Sequence, residues 1–144
     1  MDRTPHELAE RLYDFVYAYD AAYDQAARSV DLSSAQACLL RAVAGGPRTM
    51  GELAAELLCD ASNVTQLVSR LETRDLVRRV PGTVDRRSRE VSITDAGRRV
   101  DRRMREAFTF PLERVRRLPA ARQEALLDML EALTDREDGA GQGR

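Results

Sequence analysis

The sequence predicts a mainly α-helical fold interrupted by a single β-hairpin. Three observations predict it. Helix-start signatures recur along the chain, and apolar residues follow them at three- and four-residue steps. Strand-like alternation, by contrast, occupies only the stretch between residues 76 and 94. The chain has 144 residues, 43% of them apolar, enough for one cored domain with appended arms.

The elements follow in order. "TPHE" supplies Thr4 as N-cap, Pro5 at the first helical position and Glu7 to complete a capping box. The first helix should run from about Pro5 to Ser29, with Leu8, Leu12, Phe15, Val16, Tyr19, Tyr23 and Ala26 on one stripe. Ser33 and Gln36 open a second helix, Ser34 to Ala44, which turns Leu39, Leu40 and Val43 inward. Gly45-Gly46-Pro47 stops it. Thr49 and Glu52 open a third, Met50 to Leu58, burying Leu53, Ala54 and Leu57. A break at Cys59-Asp60-Ala61 lets Asp60 cap a fourth helix, Ala61 to Arg74.

The period then changes. "LVRRV" and "REVSIT" read as two strands around an arginine-rich connection that begins with Pro81-Gly82. Thr94 caps a long helix, Asp95 to Leu118, with Val100, Met104, Phe108, Leu112 and Val115 on its stripe. Pro111 lies inside it and should kink or break it. A last helix starts at Pro119, and the tail "TDREDGAGQGR" reads as disordered. Two helices joined by about three residues and followed by a β-ribbon describe a winged helix-turn-helix. The predicted organisation is an N-terminal dimerisation helix in 1–31, the winged region in 32–94, C-terminal dimerisation helices in 95–134 and a loose tail in 135–144.

Charge narrows the function. The net charge is −1, and every one of the 23 basic residues is arginine. From Arg70 to Arg105 there are 12 arginines against 6 acids, whereas the rest of the chain holds 11 against 18. A basic middle between acidic flanks attracts phosphate locally. Enzymatic chemistry finds no support: there is no glycine-rich phosphate loop, no nucleophile elbow and no histidine besides His6. Cys38 and Cys59 have neither metal-ligand nor disulfide-framework spacing, so neither a metal nor a cofactor is expected. No run is apolar enough for a membrane span and no signal-peptide pattern opens the chain, so the expected location is cytoplasmic.

The fourth helix, "ASNVTQLVSRLETR", carries the chemistry. Val64, Leu67, Val68 and Leu71 make one apolar face. Ser62, Asn63, Gln66, Ser69, Arg70 and Arg74 make the other, with Thr65 near its edge. Asn and Gln match an adenine edge, and Arg matches guanine or phosphate. Ser, Asn and Thr are mediocre helix formers, so stability does not favour the choice. The bland reading is an ordinary solvated face. The arginines of the following loop, Arg86, Arg87 and Arg89, tip the balance, because arginine at a hairpin tip suits a narrow minor groove.

The segment "GELAAELLCDASNVTQLVSRLETRDLVRRVPGTVDRRSREVSITDAGR" resembles the MarR family of bacterial winged-helix regulators. "DRRSREVSIT" is similar to that family's wing signature, an Asp-x-Arg followed by alternating apolar residues and Thr. The resemblance implies a homodimer held by the outer helices, with the fourth helix in the major groove of a near-palindromic operator. It places Ser62, Asn63, Thr65, Gln66 and Ser69 on the DNA side and Arg70 on phosphate. Arg86 and Arg87 fall at the minor groove, and Asp85 orients the wing. Asp75 stands where many relatives have glycine.

The resemblance also implies a repressor released by a small aromatic or phenolic effector. Tyr13, Phe15, Tyr17, Tyr19 and Tyr23 of the first helix could line such a pocket, with Tyr13 and Tyr17 singled out, against the plainer alternative of dimer packing. A thiol-sensing regulator using Cys38 or Cys59, and a winged helix that binds protein rather than DNA, are the rival readings.

Overall fold

The computed structural model describes residues 4–134. Its elements are α1 (Pro5–Arg28), α2 (Ser34–Ala44), β1 (Arg48–Thr49), α3 (Met50–Glu56), α4 (Ala61–Thr73), β2 (Val77–Pro81), β3 (Arg89–Ile93), α5 (Asp95–Ala107), α6 (Phe110–Arg116) and α7 (Ala120–Thr134). The three strands form one antiparallel sheet in the order β1-β3-β2. This is the mainly helical winged helix-turn-helix that the sequence predicts. The loose tail expected over 135–144 lies outside the described residues.

The predicted caps position the helices. Ser33 with Gln36 and Thr49 with Glu52 form reciprocal capping boxes. Thr4 accepts the Glu7 N–H at 3.3 Å, and Thr94 accepts that of Gly97 at 2.9 Å. Three of the helix ends share one form. After α1, α3 and α4 the chain turns through a left-handed residue, Asp31 (φ 58), Leu58 (φ 51) and Asp75 (φ 54). The next residue's N–H then reaches back to an earlier carbonyl: Leu32 to Ala27, Cys59 to Ala54 and Leu76 to Leu71. Each is a Schellman stop, normally glycine's place. Asp tolerates this backbone better than most side chains, whereas Leu58 carries a cost of about 1–2 kcal/mol.

Within the chain up to Phe108, one core gathers Leu39, Leu40 and Val43 of α2, Leu53 of α3, Val64, Val68 and Leu71 of α4, and Val77 and Val91 of the sheet. Ala26 and Ala27 of α1 and Met104 of α5 complete it. Gly97 at the start of α5 is forced by packing, since a Cβ there would collide with the Leu76 carbonyl. From Thr109 onward the chain forms a second compact unit of α6 and α7, in which neither helix buries a residue.

Four expectations needed correction. The third helix ends at Glu56, not Leu58, because the Leu58 turn consumes its last residues. The turn before α4 therefore runs from Leu57 to Asp60. The long helix expected over Asp95–Leu118 is two helices. They part at Phe108–Thr109, and Pro111 sits in the first turn of α6, where its missing N–H costs nothing. Strand β1 was not foreseen; it is two residues long and pairs Arg48 with Val91 and Thr49 with Glu90.

Candidate nucleic-acid interface

Asp60 starts the interface. Its Oδ1 accepts the Asn63 N–H and the Ser62 hydroxyl, each at 2.8 Å. These bonds, the backbone one foremost, lower its pKa from the ordinary carboxylate value. α4 then buries Val64, Val68 and Leu71, with Leu67 half-buried. Ser62, Asn63, Thr65, Gln66, Ser69 and Arg70 are all left on the exposed side, as the periodicity predicts.

These six differ in freedom. The Ser62 hydroxyl donates to Asp60, and that of Thr65 to the Ala61 carbonyl at 2.9 Å. The Ser69 hydroxyl accepts from Arg79 Nη2 at 3.3 Å. The side chains of Asn63, Gln66 and Arg70 make no hydrogen bond or ion pair with the other described residues. Arg74, on the same predicted face, donates to the Val30 and Asp31 carbonyls in the connection between α1 and α2.

The wing is a β2–β3 hairpin. Its register runs from Val77 opposite Ile93 to Pro81 opposite Arg89. The loop closes through the Gly82 N–H to the Ser88 carbonyl at 2.8 Å. A Cβ at Gly82 would meet the Ser88 hydroxyl and the Asp85 carbonyl, so the loop is tight. Asp85 Oδ1 accepts the Arg87 N–H at 2.9 Å, and its carbonyl accepts from the Ser88 hydroxyl at 2.7 Å. Arg86 and Arg87 are exposed at the tip.

Two wing contacts escaped sequence reasoning. Arg79 Nη1 pairs with Glu72 Oε2 at 2.8 Å while its Nη2 reaches Ser69, so one guanidinium joins β2 to α4. Glu90, buried in β3, accepts the Thr83 N–H and hydroxyl on Oε1. Its Oε2 is buried without a hydrogen-bond partner. An acid directly before the apolar Val91 of the expected strand was the available signal.

Away from this face, a cavity of ≈ 820 Å³ lies among α1, α2 and α5, lined by Tyr19, Tyr23, Arg41, Met104, Arg105 and Phe108 among others. Phe108 meets Tyr19 and Tyr23 edge-on, with ring centres 5.0 and 5.2 Å apart. Burial raises the Tyr23 pKa, and the Cys38 thiol donates to the Tyr23 hydroxyl at 3.4 Å. Asp101 Oδ2, buried, accepts from Arg41 at 3.3 Å and Arg105 at 3.2 Å. Tyr13 and Tyr17 are 71% and 69% exposed and are not on this lining; Tyr19 and Tyr23 occupy it instead. No cluster of His, Cys, Asp or Glu among the described residues could hold a metal ion, and no described helix is long and apolar enough to cross a membrane.

A family model described as MarR family matches residues 30–88, from the end of α1 into the wing. The winged region of the chain is therefore similar to that of the MarR family of transcriptional regulators. The chain is 27% identical over 147 residues to the HTH-type transcriptional repressor NicR of Pseudomonas putida, covering 98% of this chain and 93% of that one. It is 33% identical over 92 residues to the uncharacterized HTH-type transcriptional regulator YsmB of Bacillus subtilis. That match spans 64% of this chain and about half (53%) of the relative's length. Among solved structures it matches BpsR of Bordetella bronchiseptica with a TM-score of 0.71 at 20% identity, over 95% of this chain and 99% of that one. The DNA binding of BpsR is regulated by 6-hydroxynicotinic acid. The family is one of DNA-binding regulators, not enzymes.

Proposed function

We propose that this chain is a MarR-family regulator that binds a near-palindromic operator as a homodimer and represses transcription from it. In this reading α4 enters the major groove and the wing tip the adjacent minor groove. Asn63 and Gln66 read base edges, Arg70 meets phosphate, and Ser62, Thr65 and Ser69 line the groove. Arg87 enters the minor groove beside Arg86, held by the turn around Asp85. The observation that carries the reading is the Arg79 bridge, which ties the wing strand to the outer face of α4.

Dimerisation is supported by the exposed apolar side chains of α1 (Leu8, Leu12, Phe15, Val16) and, separately, of α7 (Leu127, Met129, Leu130, Leu133). Such surface marks an interface. Two-fold symmetry then sets half-sites about one helical turn apart, ~34 Å.

The test is binding to duplexes of selected and random sequence across a range of salt. Arg87→Ala should weaken binding to every duplex and reduce the salt slope by about one. Gln66→Ala and Asn63→Ala should change sequence preference. If all three variants bind every duplex as the parent does, the assignment fails.

For release, the cavity bounded by Tyr19, Tyr23 and Phe108 is the favoured effector site. The lining combines these aromatic rings with the two arginines that hold Asp101, a setting for a small aromatic or phenolic acid. Its expected signature is loss of duplex affinity on adding such an acid, blunted in Arg41→Gln.

A further inference from the structure

Glu90 is an acid in the middle of the sheet. Strand β3 lies between β1 and β2, and Glu90 is paired on both sides, with Thr49 and with Val80. It is 7% exposed, and Val91 and Ile93 beside it in the strand are buried and apolar. A charge pointing inward from an edge strand guards that edge against aggregation. A residue paired on both sides has no edge to guard. Its bonds serve the fold poorly too. Oε1 accepts the Thr83 N–H at 3.1 Å and the Thr83 hydroxyl at 3.0 Å, whereas Oε2 is buried and accepts no hydrogen bond. Oε2 is the one such buried side-chain atom among the described residues. A buried carboxylate oxygen without a donor disfavours folding, and an apolar side chain of similar size is often at least as stable in its place.

What Glu90 holds is the root of the wing loop. The tip is tied to itself: Asp85 accepts from the Arg87 N–H, from the Ser88 N–H at 3.0 Å and from the Ser88 hydroxyl. Gly82 bonds Ser88 across the base. Thr83 and Val84 lie between these ties, and both are exposed. Among the described residues Glu90 is the only hydrogen-bond partner of Thr83. We infer that Glu90 is a positioning residue for DNA binding: its grip on Thr83 fixes the pose in which the loop presents Arg87 to the minor groove. The inference rests on the proposed function, in which the wing tip enters that groove. A loop held in one pose before the encounter loses less freedom on binding, so the buried acid favours affinity at the expense of stability. Replacing Glu90 by an apolar side chain should move the two in opposite directions. Thr83 is exposed, so water takes over its donors when the carboxylate is gone.

The test reads three quantities in the full chain: Kd for a selected duplex across a range of salt, the melting temperature, and hydrogen exchange of the Thr83 amide by NMR. In the free protein Glu90→Leu should speed exchange of that amide about fivefold. It should raise Kd about tenfold and lower the salt slope by about one, while melting no lower than the parent. Glu90→Gln keeps an acceptor for Thr83 and should rescue both protection and affinity. Arg87→Ala should weaken the parent about tenfold but the Glu90→Leu protein less than about twofold, because the two substitutions remove the same contact. Unchanged Thr83 exchange in Glu90→Leu overturns the grip. A melting temperature that falls along with affinity makes Glu90 an ordinary structural residue and overturns the positioning role, as do losses from the two substitutions that simply multiply. If Arg87→Ala leaves binding by the parent unchanged, the wing assignment of the proposed function fails, and the DNA part of this inference fails with it, whatever the Thr83 amide shows.

Discussion

The winged core and the apolar stripes of α1 and α7 use the same residue type to opposite ends. Leu39, Leu40, Leu53 and Leu71 are at most 1% exposed, while Leu8, Leu12, Leu127 and Leu133 are 40% to 66% exposed. α1 contains the transition within a single helix: Ala26 and Ala27 sit in the core, and Leu8 to Val16 face outward. Burial of a leucine is worth about 1.5–3 kcal/mol, and the outer stripes leave that gain unrealised in one chain. The comparison teaches that the winged region is a finished fold, whereas the stripes leave apolar surface uncovered within one chain.

The comparison breaks if a core leucine proves dispensable. Leu53→Ala should cost about 2–5 kcal/mol in urea unfolding, with no dependence of that loss on protein concentration. Gly97→Ala should follow closely in size, because its new methyl must displace the Leu76 carbonyl. A helical glycine replaced without such a clash would instead gain stability.

Leu12→Glu should do the reverse of Leu53→Ala. Unfolding of the isolated chain should shift by less than about 0.5 kcal/mol. Sedimentation should show dissociation, and the melting temperature of the parent alone should rise with protein concentration. A Leu12→Glu protein that sediments as the parent does would remove α1 from the interface.

Two smaller effects sharpen the picture at the recognition helix. The Asp60 pKa is lowered by folding, so its contribution is complete above the ordinary carboxylate value and is lost as pH falls through the lower, folded one. Parent and Asp60→Asn should therefore differ in stability near neutrality and begin to converge only as pH falls below about 4. Leu58→Gly should be stabilising by less than about 1 kcal/mol. Relief of the left-handed backbone is partly offset by glycine's greater freedom in the unfolded chain.

What could be read in advance was what is local. A capping box needs residues three apart, so Ser33 with Gln36 and Thr49 with Glu52 were legible. The faces of α4 follow from helical periodicity, and the wing from its alternation and its Asp-x-Arg. What escaped depends on partners distant in sequence. β1 exists because Val91 and Glu90 arrive beside it. Arg74 looked like a groove residue until the Val30 and Asp31 carbonyls claimed it. Which of the first-helix tyrosines face the cavity, Tyr19 and Tyr23 rather than Tyr13 and Tyr17, is decided by Phe108, some ninety residues away. Leu58 gave no signal, since leucine is the last residue that a left-handed stop would suggest.

The bridge from Arg79 to Glu72 and Ser69 makes α4 and the wing strand one caliper. Its jaw width is set when the chain folds, before any duplex arrives, so little ordering of these parts is left for the encounter. On the proposed function, DNA whose neighbouring grooves do not fit that fixed span must itself bend or twist to be gripped.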